Sequence, residues 1–219
     1  MSKLHVEDYR EAVSSCRTCK GCTNVINTPF YGTGCRQDAA LMIIAQNPPQ
    51  TVRHHGAYML HYKDAPVGPH EVIVHGLVAH LGLIPKQVFA TQATKCPTLA
   101  NDTPPMYVAK ACAGSFLEQE IRDCNPRVIL TFGQQAEQVV GDLLRFKLGE
   151  RPEGYDQSYP VEVNGSTPLK IVRRSGSIIA APHPSTVGRF AKPASWQSAI
   201  LRAYTDAQQF ERPLTVVEQ

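Results

Sequence analysis

The sequence contains no long apolar run, few aromatic residues and little excess charge of either sign. No segment approaches the roughly 20 apolar residues of a transmembrane helix, which argues against a membrane-spanning protein. The opening MSKLHVEDYR lacks the apolar core of a signal peptide, so we expect a cytoplasmic protein. A net charge of +3 permits a nucleic-acid partner but is too small to indicate one. The length and the hydrophobic content of 42% are typical of one soluble globular domain, which we expect to cover residues 1–219.

Cysteine, by contrast, is more frequent than packing requires. The chain has seven cysteines, and an odd number in a reducing compartment argues against a disulfide framework. Cys16 and Cys19 form a C-x-x-C pair, and we select Cys96 and Cys112 as the second pair. Four thiolates can hold a 4Fe-4S cluster or, as an alternative, a zinc ion. The remaining interpretation is that these cysteines are free, buried and inert.

Apolar runs alternate with helical patterns along most of the chain, which predicts an α/β fold. Strands that alternate with helices form a mostly parallel central sheet covered on both faces, a three-layer αβα sandwich. The predicted strands cover residues 39–45, 88–94, 126–133 and 177–185, with a hairpin over 160–173 that turns at Asn164-Gly165. The predicted helices cover residues 69–82, 105–123, 134–146 and 193–210, with a further short helix within 5–24.

In such folds the functional site lies beyond the carboxyl ends of the parallel strands. Three distinctive polar segments follow predicted strands and are expected at this edge: Gln46 to Pro49, Gln92 to Cys96 and His183 to Ser185. Residues 50–66, rich in Pro, Gly and His, are a candidate mobile loop, and the tail over 211–219 is expected to fray.

Taken in order, these segments resemble the uracil-DNA glycosylase superfamily, most closely its iron–sulfur family 4 branch, over roughly residues 14–205. The resemblance is carried by the C-x-x-C pair, by AQNPP at 45–49 and by TQATKC at 91–96. It continues through Pro126 to Gly133 and through a final H-P-S-x-x-x-R motif. It implies a 4Fe-4S cluster held by Cys16, Cys19, Cys96 and Cys112, on which the cysteine-rich segment 14–36 docks.

The resemblance implies that the protein breaks the N-glycosidic bond of a pyrimidine nucleotide flipped out of DNA. Asn47 is then expected to orient the attacking water, since an amide does not titrate usefully and cannot be a general base. His183 is expected to donate to the pyrimidine O2. The alternative for Asn47 is that it is only a turn residue at the end of a strand. The alternative for His183 is that it only caps a helix. The implied DNA-contacting residues are Ser185, Thr186, Val187, Gly188, Arg189 and Lys192, with Val187 as the apolar tip of a wedge.

The departures from the family pattern concern the base pocket. Gln46 replaces the family 4 glutamate, and Gln92 replaces an Asn that reads the Watson–Crick edge of uracil. Pro66 stands where relatives stack a Phe on the base, and Pro49 where another branch has a Tyr. The candidate pocket residues are Gln46, Pro48, Pro49, Pro66, Gln92, Phe30 and Tyr31.

This altered pocket predicts a base other than plain uracil. A pyrimidine bulky at C5 would suit it, such as glucosylated hydroxymethylcytosine of phage DNA, excised in anti-phage defence. The alternatives are an ordinary uracil-DNA glycosylase of base-excision repair, a catalytically silent DNA-binding protein of the same fold, and a zinc-stabilised nucleotide-binding module. We expect a monomer without an obligate protein partner, because relatives are mostly monomers.

Overall fold

The computed structural model describes residues 6–17, 19, 25, 30, 32–49, 69–147, 156–163, 169–174 and 177–209. The predicted loop at 50–66, the hairpin turn at Asn164-Gly165 and the tail at 211–219 lie outside these residues.

The strands of the described residues form one seven-stranded sheet in the order β1-β3-β2-β4-β7-β6-β5. The central strands β3, β2, β4 and β7 are parallel, whereas β1, β6 and β5 are antiparallel to their neighbours. Each central strand is buried along its whole length, which explains apolar runs such as LMIIA. The strands are β1 (Thr33–Gly34), β2 (Leu41–Ala45), β3 (Val88–Gln92), β4 (Ile129–Phe132), β5 (Gln157–Val161), β6 (Leu169–Arg174) and β7 (Ile178–Ala181).

Helices cover both faces of the sheet, so the predicted three-layer α/β sandwich is confirmed. The helices are α1 (Val6–Ser15), α2 (Pro69–His80), α3 (Met106–Cys112), α4 (Glu118–Cys124), α5 (Gln134–Lys147), α6 (Pro184–Phe190) and α7 (Pro193–Gln208). Alternate side chains of β2 point into two cores, as the pleat of a strand requires. Ile43 packs with α2 and α7, whereas Met42 and Ile44 pack with α3, α4 and α5.

Helix α1 docks away from the sheet, on the helical layer formed by α3 and the segment after it. Tyr9 and Val13 form a small apolar cluster with Cys112 and Phe116, and the rings of Tyr9 and Phe116 meet edge to face at 6.1 Å. This packing carries the chain from α1 into Cys16, which lies against the same cluster.

The four parallel strands end in one row. Ala45 of β2 pairs with Gln92 of β3 and with Phe132 of β4, and Phe132 pairs with Ala181 of β7. The chain leaves the sheet from this row towards Asn47, Gly133 and His183. The predicted placement of the polar segments at one sheet edge is therefore confirmed for the residues that the structure describes.

Three local predictions need correction. The segment after His183 is a short helix, α6, and not the end of a strand followed by a loop. Pro184 occupies its first position, where a proline is favoured because no N–H is needed there. Val187 is completely buried against the core of α2 and α7, so the prediction that it forms an exposed apolar tip is wrong. The predicted helix at 105–123 contains one π-helical turn, Ala113–Leu117, between α3 and α4.

Candidate active site

Asn47 lies two residues beyond β2, and its side-chain amide contacts three groups. Nδ2 donates to Pro48 O at 3.3 Å and to Thr98 Oγ1 at 3.2 Å. Oδ1 accepts from Gln46 Nε2 at 3.2 Å. Because a carbonyl oxygen only accepts, the contact with Pro48 O identifies the nitrogen side of the amide. Oδ1 therefore faces the other way and keeps acceptor capacity for one further donor, such as a water molecule.

His183 caps helix α6 with its own ring. Its Nδ1 accepts from the backbone N–H of Ser185 at 3.2 Å and lies 2.8 Å from Ser185 Oγ. A backbone N–H can only donate, so Nδ1 carries a lone pair and the neutral ring has its proton on Nε2. Phe132 meets the imidazole edge to face at 6.5 Å. The helix-capping role is thus present, and it leaves Nε2–H as the donating group of the ring.

Gln92 is the last residue of β3 and is almost completely buried. Its Oε1 has no hydrogen-bond partner among the described residues, and the same holds for the hydroxyl of Thr94 just beyond it. Leaving a buried acceptor unpaired costs about 1–3 kcal/mol, unless a ligand supplies the missing donor. An N–H group on a bound base is such a donor.

The other predicted pocket residues are only partly described. Gln46 contacts Asn47, Pro48 is buried and Pro49 is half-buried. Phe30 is buried, and its backbone N–H donates to Lys95 O at 2.6 Å, which places it beside the end of β3. Tyr31 and Pro66 lie outside the described residues.

The four predicted ligand cysteines interact with one another. Burial raises the pKa of the Cys96 thiol to about 12, and repulsion from neighbouring thiolates contributes. Those neighbours are Cys112, Cys19 and Cys16. The Sγ of Cys112 also accepts the backbone N–H of Lys95 at 3.3 Å. Among the described residues, however, no three His, Cys, Asp or Glu side chains lie close enough together to hold a metal ion.

Comparison with known families decides the relationship. The family model of the uracil DNA glycosylase superfamily matches residues 31–204, most of the chain. The chain belongs to the uracil DNA glycosylase superfamily. The matched span includes Asn47, Gln92 and His183, whereas the C-x-x-C pair precedes it. No curated protein matches the chain.

Members of the uracil DNA glycosylase superfamily are generally DNA glycosylases, hydrolases whose substrate is DNA. The superfamily assignment therefore agrees with the predicted DNA glycosylase class, a hydrolase of base excision. In the part of the chain that the structure describes, no helix is both long and apolar enough to cross a membrane.

The predicted DNA contacts follow β7. Ser185 bonds to His183, and Thr186 is half-buried in α6. Lys192 is exposed, and its Nζ forms an ion pair with Glu162 Oε2 at 2.8 Å. A phosphate contact by Lys192 would therefore have to displace this carboxylate. Gly188 lies in α6, and the side chain of Arg189 lies outside the described residues.

A buried charge network beside the site was missed by the sequence analysis. Lys95 Nζ pairs with Glu120 Oε2 at 2.6 Å, and their side chains are only 1% and 3% exposed. Nζ also donates to Thr91 Oγ1 at 2.7 Å and to Gln92 O at 2.8 Å. Tyr9 OH completes the network by donating to Glu120 Oε1 at 2.5 Å. The only sequence signal was a lysine directly after a buried strand, because the partners come from α1 and α4.

The network restrains groups on both sides of Lys95. Burial, followed by the negative charge of Glu120, raises the pKa of Tyr9, so the phenol stays a donor. The bond to Gln92 O holds the backbone of the candidate base-reading residue, and the backbone N–H of Lys95 holds Cys112 Sγ. One buried lysine thus contacts both Gln92, the candidate base-reading residue, and Cys112, a predicted ligand.

Proposed function

We propose that the protein hydrolyses the N-glycosidic bond of a flipped-out pyrimidine that carries a bulky C5 substituent, leaving an abasic site in DNA. The observation that carries this proposal is the pairing of Asn47 and His183 at one sheet edge. They follow β2 and β7, which lie about 10 Å apart because β4 stands between them at two strand spacings. One presents an acceptor oxygen and the other a donor N–H, the two kinds of group that hydrolysis of the bond needs.

The two groups support the two halves of the reaction. As the bond between C1′ and the base nitrogen breaks, its electron pair moves to the base and negative charge develops on O2. The Nε2–H of His183 is suited to stabilise that charge, an electrostatic contribution worth about 10²–10³ in rate when it is well placed. The Oδ1 of Asn47 orients a water molecule, whose oxygen bonds to the cationic C1′. The water then loses a proton to solvent or to the departing base, since the amide cannot hold it.

Gln92 supports an altered base preference. Its buried Oε1, which has no hydrogen-bond partner among the described residues, suits an N–H donor, which could be N3–H of a uracil or the exocyclic amino group of a cytosine. Gln is longer by one methylene than the Asn of relatives, so the base edge must sit differently. We infer that the substrate is a 5-substituted pyrimidine, such as the glucosylated hydroxymethylcytosine of phage DNA, with defence against phage as the setting.

The test is mass spectrometry of the free bases released from a panel of DNAs. The panel contains uracil, thymine, hydroxymethyluracil, hydroxymethylcytosine and glucosylated hydroxymethylcytosine, each in single- and double-stranded form. We expect one modified pyrimidine to be released, and release to be lost in both Asn47→Ala and His183→Ala. Release of uracil alone would return the protein to ordinary repair. Binding without any release would favour a catalytically silent protein.

We further propose that Cys16, Cys19, Cys96 and Cys112 hold a 4Fe-4S cluster. The support is that Cys96 is mostly buried and lies within electrostatic range of the other three thiols. Four thiolates can hold a 4Fe-4S cluster, with a zinc ion as the alternative. When bound, the cluster would join the segment after α1 to the end of β3 and to α3, a structural contribution to the DNA-binding face.

Replacing a ligand cysteine is expected to remove the cluster. Anaerobically purified protein should show broad visible absorbance with iron and sulfide in equal amounts, and Cys112→Ser should lose most of both. Cys124→Ser is the matched control, because Cys124 is also buried but bonds to Cys35 O at 3.5 Å away from the cluster residues. Colourless protein with bound zinc would contradict the cluster, and equal absorbance in the two variants would contradict the ligand set.

A further inference from the structure

We propose that Thr98 is a positioning residue that fixes the amide of Asn47 in the orientation needed to hold the attacking water. Thr98 is completely buried and lies 51 residues from Asn47 in the sequence. This role rests on the proposed hydrolysis and adds a positioning residue to the site. It follows from the direction of a chain of hydrogen bonds that runs from Asn47 through Thr98 to Asp102.

The chain of hydrogen bonds has only one possible direction. The Thr98 hydroxyl has a single proton, which it donates to the carbonyl oxygen of Asp102 in a short hydrogen bond. Towards Asn47, Thr98 Oγ1 can therefore only accept, so it must face the amide nitrogen at 3.2 Å. If the amide turned over, Oδ1 would face both the Thr98 oxygen and Pro48 O, two acceptors without a proton to share.

The loop that carries Thr98 is itself tightly held. Ala100 and Asn101 both adopt left-handed backbone conformations, with φ of 55° and 59°. This conformation is unfavourable for alanine, because its methyl side chain cannot form the local hydrogen bonds that help Asn and Asp to adopt it. The bond from Thr98 Oγ1 to Asp102 O spans both residues and closes the loop beside Asn47. The hydroxyl of Thr98 thus joins a strained loop to the amide.

The consequence for catalysis is a fixed acceptor. Both protons of Asn47 Nδ2 are used, one by Pro48 O and one by Thr98 Oγ1. Gln46 donates to Oδ1 from one side, which leaves one direction for a water molecule. An amide held in this way accepts from water and cannot donate to it, so the water lone pair is free to point at the sugar.

The test compares Thr98→Val, which removes the hydroxyl at nearly constant volume, with Thr98→Ser, which retains it. In single-turnover assays on the released base, Thr98→Val should lower the rate of bond cleavage by roughly 10- to 100-fold, as expected for a misplaced reacting group. The affinity for DNA should stay within about twofold, because the hydroxyl contacts no substrate. Thr98→Ser should recover most of the rate.

The matched control is Thr131→Val, which removes another buried hydroxyl, bonded to Ile179 O at 3.3 Å inside the sheet. Its rate should equal that of the parent. Crystal structures of both Thr98 variants supply a readout that does not depend on activity: the Asn47 side chain should rotate in Thr98→Val and remain in Thr98→Ser.

Cleavage that survives Thr98→Val would overturn the role of Thr98 and leave the proposed function intact. An equal loss in Thr98→Ser would also overturn it. A parent protein that releases no base from any DNA, although Asn47 keeps its contacts, would instead overturn the proposed function and with it the catalytic meaning of this contact.

Discussion

Replacement of His183 by alanine should lower the rate of base release by about 10²–10³, the usual effect of removing one donor to a developing negative charge. The cause is the loss of Nε2–H, since Nδ1 is already occupied by the backbone N–H of Ser185. The affinity for DNA should change much less, because the charge on the base develops only as the bond breaks. Single-turnover kinetics with a separate binding measurement would distinguish the two effects.

The capping role of His183 requires its own control. Removing an N-cap costs about 0.5–2 kcal/mol, so His183→Ala could lower activity by loosening α6. His183→Asn keeps a good capping residue but lacks the imidazole donor. The free energy of unfolding of His183→Asn should equal that of the parent, and its rate of base release should be as low as that of His183→Ala. His80→Ala, at the far end of α2, should leave the rate unchanged. Full activity in His183→Asn would contradict the proposed donor.

The second large effect is expected on stability, from the buried pair of Lys95 and Glu120. Lys95→Met would leave a carboxylate in the interior with Tyr9 and Thr91 as its remaining donors among the described residues. Breaking one side of a buried ion pair typically costs about 3–5 kcal/mol, so the free energy of unfolding should fall by that amount. Urea denaturation followed by circular dichroism would measure it.

An exposed ion pair provides the comparison. Lys110 and Asp142 are 2.8 Å apart, but their side chains are 52% and 33% exposed. Lys110→Met should change the free energy of unfolding by about 0–1 kcal/mol, as is usual for surface pairs. The double replacement Lys95→Met with Glu120→Leu should recover part of the loss, because no unpaired charge remains. Equal effects of Lys95→Met and Lys110→Met would show that burial of the pair contributes nothing.

The sheet edge was predictable from the sequence because three of the four buried parallel strands end on a distinctive polar segment. In a parallel sheet the carboxyl ends lie at the same edge, so the shared edge of Asn47, Gln92 and His183 followed from the parallel direction of the strands. The exact strand ends did not follow: β3 stops at Gln92, because residues beyond it already bond to the segment after β2. Thr94 N–H, for example, donates to Gln46 O at 2.9 Å.

Helix α6 was not predictable from local pattern. The segment PSTVGRF contains Gly188 and two β-branched residues, Thr186 and Val187, which disfavour a helix in isolation. Burial of Val187 against α2 and α7 overrides this preference. The roles of Thr98 and Lys95 were likewise hidden, because their partners come from remote segments and sequence periodicity carries no signal for polar contacts of this kind.

The π-helical turn between α3 and α4 affects how this region should be aligned with its relatives. Cys112 and Glu120 both contact Lys95, although they are eight residues apart. In a regular α-helix, eight residues end about 80° beyond two full turns, and the two side chains would diverge. A π turn contains one extra residue, so Cys112 and Glu120 are oriented as residues seven apart would be in a regular α-helix. Their directions around the helix axis then differ by only about 20°. A relative with an uninterrupted helix should therefore be aligned with a one-residue gap within 113–117, so that its positions corresponding to Cys112 and Glu120 lie on the same line of the helix.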